Sequence, residues 1–132
     1  MAWRCTGTSN SSLIGNLFKA GIIKSEIVRD AMMATDRAFY AGVGGRPYDD
    51  SPMSIGYNAT ISAPHMHAYA LEVCLPPMQR ARDQNRQPVV LDVGCGSGYL
   101  LGAFARIFDA KVVGVEHIKQ LYELSSKNLK VN

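Results

Sequence analysis

Apolar and polar positions change their rhythm several times along this chain, and each change predicts an element. Leu13, Ile14, Leu17 and Phe18 recur at spacings of three and four, which predicts one buried face of a helix. Ser11 or Ser12 is placed to cap it and Gly21 to end it. Ser25 opens a second short helix whose buried side is Ile27, Val28, Ala31 and Met32. The periodicity then lapses in TDRAFYAGVGGRPYDDSP, residues 35–52, where Gly, Pro and Asp predict a long loop. Loops of that length in a compact domain often serve as lids or binding loops. SIGYNATIS, residues 54–62, alternates in part and predicts one short strand or extended segment. Ser62 can then cap a helix that carries Pro64 in its first turn, where the missing N–H costs nothing. Met66, Tyr69, Ala70 and Val73 form its expected apolar face, and Pro76-Pro77 its expected end; MQRARDQNRQ follows as a polar connector. Val89–Val93 is a continuous apolar run of the kind expected in a buried parallel strand. A glycine turn, a helix over 99–108, a second strand over 111–116 and a helix over 118–129 complete the pattern, with Ile118, Leu121, Leu124 and Leu129 inward. Strand–helix–strand–helix implies a parallel sheet.

Composition narrows the function classes. At 132 residues, 47% hydrophobic and 19% charged, the chain is a globular domain and not a disordered one. A net charge of +3 without a basic block makes no case for nucleic acid or an anionic membrane. Three widely spaced cysteines argue against a disulfide framework or a zinc site and fit a reducing compartment. MAWRCTGTSNSS has no apolar leader core, and no window is long and apolar enough to span a bilayer. A cytoplasmic location is the expectation.

The chemistry gathers around two stretches. Gly94-Cys95-Gly96-Ser97-Gly98 lies between a predicted strand and a predicted helix, where bare backbone N–H groups can meet a ligand. Glu116 stands 22 residues after Gly94, at the end of the next strand, where an acid can accept hydrogen bonds from ribose hydroxyls. The unit suits a nucleoside-bearing cofactor. A dinucleotide fingerprint would need a third glycine where Tyr99 stands, and no triphosphate loop is present. Asp92, two residues before the first glycine, suits a ligand with an ammonium group and a sulfonium better than a pyrophosphate. These residues favour S-adenosylmethionine over a dinucleotide; a tight turn with an incidental strand-end charge is the bland alternative. The second stretch, TISAPHMHAYALE, combines a hydroxyl, a proline and two imidazoles at a helix start. His65 and His67 have HxH spacing, but no carboxylate or cysteine cluster completes a site, so no metal is expected. Cys95 reads as a small turn residue more than a reactive thiol, His65 as a first-turn polar residue, and Asp49-Asp50 as a solvated pair.

LDVGCGSGYL resembles the first cofactor motif of class I methyltransferases, and VVGVEH resembles their second strand with its ribose-binding acid. GIIKSEIVRDAMMATDRAFY, YDDSPMSIGYNATISAPHMHAYALE and VEHIKQLYELSSKN resemble the protein-L-isoaspartate O-methyltransferase family, over nearly the whole chain. That resemblance implies an α/β Rossmann-like fold: a doubly wound, mostly parallel sheet with an N-terminal helical segment. It implies one domain, with residues 1–88 helical and substrate-side and residues 89–132 the first half of the cofactor-binding unit. The implied reaction moves a methyl group from S-adenosyl-L-methionine to the α-carboxylate of L-isoaspartyl residues in damaged proteins and peptides, leaving S-adenosyl-L-homocysteine. It further implies a monomer, cofactor contacts at Ala59, Thr60, Ile61, Ser62, His67, Gly94, Gly96, Gly98, Glu116 and His117, and a substrate-side hydroxyl at Ser62. A carboxylate is already ionised at neutral pH, so the expected work of Ser62 is to orient the acceptor as a hydrogen-bond donor. The family continues past the position of Asn132 with further strands and an adenine-contacting loop, so the C-terminal half is expected to be missing. A short form that binds cofactor or a partner without transfer is the second expectation, and a nucleotide-dependent oxidoreductase the third.

Overall fold

The structure, a computed structural model, describes residues 5–131. The first four residues of the stretch read for a leader, and Asn132, lie outside them. Helix α1 spans Asn10–Lys19 and buries Leu13, Ile14 and Leu17 completely. Its cap is Ser9 and not Ser11 or Ser12. Ser9 accepts from the Ser12 backbone N–H, and the Ser12 hydroxyl accepts from Ser9 N at 2.9 Å, a reciprocal pairing that satisfies two donors left open at a helix start. The helix ends as predicted at Gly21, which takes φ of 72°.

Helix α2, Glu26–Met33, buries Val28, Ala31 and Met32, while Ile27 faces outward. Ser25 precedes it, but its side chain makes no capping bond to the helix. The cap comes from the next helix along the chain: the Glu72 carboxylate accepts from Lys24 N at 2.7 Å, Ser25 N at 2.8 Å and Ser25 Oγ at 2.6 Å. An anion at a helix N-terminus also meets the positive end of the backbone dipoles.

Residues 35–52 are anchored by buried side chains near both ends, while 42–46 between them are exposed. Thr35, Arg37, Tyr40 and Asp50 are each 1% exposed or less, and Arg37–Phe39 form a 3₁₀ turn. The single strand expected next is a hairpin. Strand β1, Met53–Gly56, pairs antiparallel with β2, Ala59–Ile61. Tyr57 and Asn58 both take φ of 55° at its tip, the turn geometry whose twist matches paired strands.

Helix α3 runs from Pro64 to Asp83, through the two prolines expected to end it and into the expected connector. Pro76 and Pro77 each withhold one N–H from the helix ladder. Both are exposed, whereas Leu71 before them and Met78 after them are buried, so tertiary packing holds the helix across the gap. The buried face is Pro64, His67, Ala68, Leu71 and Met78; Met66, Tyr69 and Val73, expected inside, are more than half exposed.

Strands β3, Val89–Val93, and β4, Lys111–Val115, pair in parallel with Val89 opposite Lys111 and Val93 opposite Val115. Helix α4, Tyr99–Ala105, crosses between them, and α5, Lys119–Val131, follows β4. Helix α4 stops short of Phe108 because Phe108 and Asp109 take φ of 54°. Leu121 is buried on α5, and Ile118, Leu124 and Leu129 pack against the core, as expected. The sheet is covered on one face only. Val90 and Val112 pack against the core, while Val89, Leu91 and Val93 are 67%, 61% and 74% exposed, against the expectation of a strand buried on both sides. Among the described residues nothing packs on that second face.

Candidate active site

The glycine turn and the start of α3 meet at one cleft of about 200 Å³. Strand β2 brings Thr60 and Ile61 to it, the link to α3 brings Ser62, α3 brings His67, and the tip of β3 brings Asp92. The turn itself supplies Gly94, Cys95, Gly96 and Ser97, and α4 supplies Tyr99 and Leu100. Of the predicted site residues, Thr60, Ile61, Ser62, His67, Asp92, Gly94 and Gly96 therefore share one cleft. Ala59, Gly98, Glu116 and His117 stand outside its lining. Ala59 is engaged with Gly56 in the hairpin, and His117 is 90% exposed on its side chain.

The turn is shaped by left-handed backbone. Gly94, Gly96 and Gly98 take φ of 81°, 54° and 87°, conformations that side-chain-bearing residues avoid. Gly98 is constrained by packing as well, since a Cβ there would lie 3.2 Å from Cβ of Ser125. Gly94 N and Cys95 N donate to the Val115 carbonyl at 2.7 and 3.2 Å, which ties the turn to the tip of β4. From α5, Asn128 Nδ2 donates to the Ser97 carbonyl at 2.9 Å. Cys95 behaves as the small turn residue expected: burial pushes its thiol pKa up, away from the reactive thiolate.

Glu116 lies against the turn. Its carboxylate accepts from Gly96 N and from Ile118 N, each at 3.0 Å. The Ile118 N–H leads the effects that hold its pKa below the ordinary carboxylate value. Asp92 is shifted the other way, first by burial and then by the charge of Glu116. The two acids stand at neighbouring strand tips, and the charge of Glu116 adds to the burial that raises the Asp92 pKa.

Ser62 does not cap α3. The cap residue is Ala63, and the carboxylate that serves the helix start is Asp50, whose Oδ1 accepts from His65 N at 3.0 Å and lies 2.8 Å from His65 Nδ1. Asp50 is fully buried and not one of a solvated pair; Asp49 beside it pairs with Arg46 at 3.2 Å. With Asp50 in that role, the half-buried Ser62 hydroxyl makes no hydrogen bond among the described residues and lies on the cleft.

His67 is buried against the cleft. Its Nδ1 lies 3.5 Å from Arg37 Nη1, and its ring stacks on Tyr99 with centroids 4.5 Å apart and planes at 23°. Tyr99 meets Tyr40 edge-on at 5.5 Å. Burial, reinforced by the Arg37 charge, lowers the His67 pKa to about 3, so the ring is neutral. Burial also lowers the Arg37 pKa to about 10 and raises that of Tyr99. Sequence reasoning missed Arg37 and Asp50, which carry no local signal inside a loop. Tyr99 served only to exclude a dinucleotide; the bulk that breaks the glycine pattern is also the platform for His67.

The sequence pattern of the family described as protein-L-isoaspartate(D-aspartate) O-methyltransferase (PCMT) matches residues 8–132. A protein-L-isoaspartate O-methyltransferase of Caenorhabditis elegans is 45% identical over 132 residues, covering 98% of this chain and 55% of the relative. Protein-L-isoaspartate O-methyltransferase 2 of Arabidopsis thaliana is 45% identical over 130 residues, covering 94% of this chain and 39% of its own. A crystal structure of the Plasmodium falciparum protein of this family, in complex with S-adenosyl-L-homocysteine, superposes with a TM-score of 0.78 at 34% identity, covering 95% of this chain and 56% of that one. The chain spans about half the length of the curated relatives it matches. The superposition assigns the helix and strand arrangement to the Rossmann-like methyltransferase fold. With its fold, its glycine turn and nearly its whole length matched, the chain belongs to the protein-L-isoaspartate(D-aspartate) O-methyltransferase family.

Proposed function

We propose that this chain supplies the donor half of a site that methylates the α-carboxylate of L-isoaspartyl residues in damaged proteins and peptides, with S-adenosyl-L-methionine as methyl donor. The observation that carries the reading is the single cleft in which the glycine turn and Asp92 face Ser62 and His67. The names of the relatives, and the S-adenosyl-L-homocysteine in the Plasmodium falciparum structure, support it.

The residues present fit such a cofactor. A Cβ added at Gly94 would meet nothing within 4 Å, so the backbone there is open to a ligand. Asp92, which lines the cleft, is suited to an ammonium group; Glu116, whose carboxylate already accepts from Gly96 N and Ile118 N, would meet ribose hydroxyls through its remaining lone pairs. When bound, the cofactor supplies a methyl group on a positively charged sulfur. The chain's own residues orient and shelter the reactants. Ser62 holds the acceptor carboxylate through its free hydroxyl, and the neutral His67 ring closes the cleft beside it. Holding two reactants in line can contribute up to about 7–11 kcal/mol in favourable cases. The cleft is smaller than the ~300–1,000 Å³ of typical ligand pockets, in keeping with a chain that holds one part of the ligand. The open face of β3 favours the second reading, binding of cofactor or a partner without transfer. A cytoplasmic location is supported by the odd, wide-spaced cysteines; among the described residues no helix is long and apolar enough to cross a membrane.

Calorimetry with S-adenosyl-L-homocysteine, and transfer of labelled methyl to matched isoaspartyl and aspartyl peptides, test the reading. Transfer to the isoaspartyl peptide alone supports it; cofactor binding without transfer supports the second reading. Ser62→Ala is expected to lower transfer about 10- to 100-fold, the worth of one hydrogen bond to a charged group, with cofactor affinity within about twofold. Equal losses in both would remove Ser62 from the acceptor side.

A further inference from the structure

We infer that Arg37 is a positioning residue that fixes the His67 imidazole in its Nε2–H tautomer, so that the cleft is offered a permanent, uncharged hydrogen-bond donor. The inference starts from donor chemistry. A guanidinium has only N–H donors. Arg37 Nη1 lies 3.5 Å from His67 Nδ1, and both side chains are buried. A proton on Nδ1 would set two donors against each other out of reach of water, which leaves both unsatisfied. An imidazolium would add a second cation beside the first. The arrangement is satisfied only when Nδ1 accepts and the single ring proton sits on Nε2.

Arg37 is held in place for this task. It is 1% exposed, and its Nη2 donates to the Ser51 carbonyl at 3.1 Å. No carboxylate of the described residues lies within ion-pair distance of it; Asp50, which contributes to its electrostatic surroundings, is engaged by His65. Without an ion pair the Arg37 fork turns to neutral acceptors, Nη2 to the Ser51 carbonyl and Nη1 to His67 Nδ1, while Nε has no partner among the described residues. Tyr99, stacked on the ring, fixes its plane. The other nitrogen, Nε2, makes no hydrogen bond to the described residues, and the ring lines the cleft with Ser62. An Nε2–H polarised by a cation on the far side of the ring fits an anionic oxygen, such as a carboxylate. That His67 meets such an oxygen rests on the proposed function; the tautomer does not.

Long-range proton–nitrogen NMR on the 132-residue chain with labelled histidine tests both parts, the His67 signals being those lost in His67→Gln. Between pH 5.5 and 8 the expected pattern is a protonated Nε2 and a bare, unchanging Nδ1. A protonated Nδ1, or an imidazolium in that range, would overturn the inference. Arg37→Met, folded by near-ultraviolet circular dichroism, is expected to give mixed tautomers and about tenfold weaker S-adenosyl-L-homocysteine binding. Arg37→Lys, which keeps a cationic donor, is expected to retain both properties. A folded Arg37→Met that keeps pure Nε2–H and the parent's affinity also overturns it. Should Arg37→Met not fold, the parent spectrum and Arg37→Lys decide. A parent with the expected tautomer but no affinity for the homocysteine compound removes the proposed function and leaves the role of Arg37 standing.

Discussion

His67 enters the folded chain without its second proton, and that has a thermodynamic sign. Its pKa is about 3 in the fold, against about 6.5 for a free histidine. Between those values the unfolded chain binds the extra proton and the folded chain does not. The contribution of a neutral His67 to stability is therefore fully present above about pH 6.5 and is lost as pH falls toward 3, by up to about 1.4 kcal/mol per unit. Urea unfolding at pH 7 and pH 5 is expected to show a smaller acid loss in His67→Gln than in the parent; parallel losses would mean that the buried ring is not the titrating group. His67 itself was legible as a site candidate only through the family likeness, because a histidine on an apolar face has several ordinary uses. Asp50 was not legible at all. A serine just before a proline-started helix is a local capping signal, whereas the carboxylate that serves α3 arrives across a loop and a hairpin.

At the scale of elements, periodicity was a good guide where a segment obeyed one rule. Helix α1 and the strand–turn–helix–strand unit around Gly94 form the elements read, although α4 stops at Ala105 and β3 keeps one face open. Helix α3 sets two rules against each other. Pro76-Pro77 marks a stop, yet burial of Leu71 and Met78 continues the helix. Its two candidate faces are both spaced for a helix, and only the packing of α2 and α4 selects the one with His67 and Leu71. The hairpin was read as one strand because its turn pair, Tyr57-Asn58, lacks the Asn-Gly form that marks such turns. The prolines give a test. Pro77→Ala restores an N–H opposite the Val73 carbonyl at an exposed site, and is expected to stabilise the chain by up to about 3 kcal/mol. A raised thermal midpoint is the expected result; a lowered one would mean that the packing of Met78 depends on Pro77.

At the scale of the whole molecule, the sheet is written for two covered faces and the described residues cover one. Val89, Leu91, Val93, Val113 and Val115 form a contiguous apolar surface on β3 and β4. Patches of this kind bind apolar probes. Anilinonaphthalene sulfonate is expected to fluoresce with the parent chain and less with Leu91→Lys; equal signals would place the dye elsewhere. The sequence pattern of β3 encodes the need for a cover, but a pattern cannot say which segment provides it. The start signals of α2 and α3 have a further consequence for how the chain reaches this state. Glu72 serves backbone donors 47 and 48 residues upstream, and Asp50 serves one 15 residues downstream. Neither helix start is capped by a side chain of its own neighbours, and α2 has only eight residues. The start of α2 is therefore expected to consolidate only when α3 docks on it, a contact 47 to 48 residues away that raises contact order and slows folding.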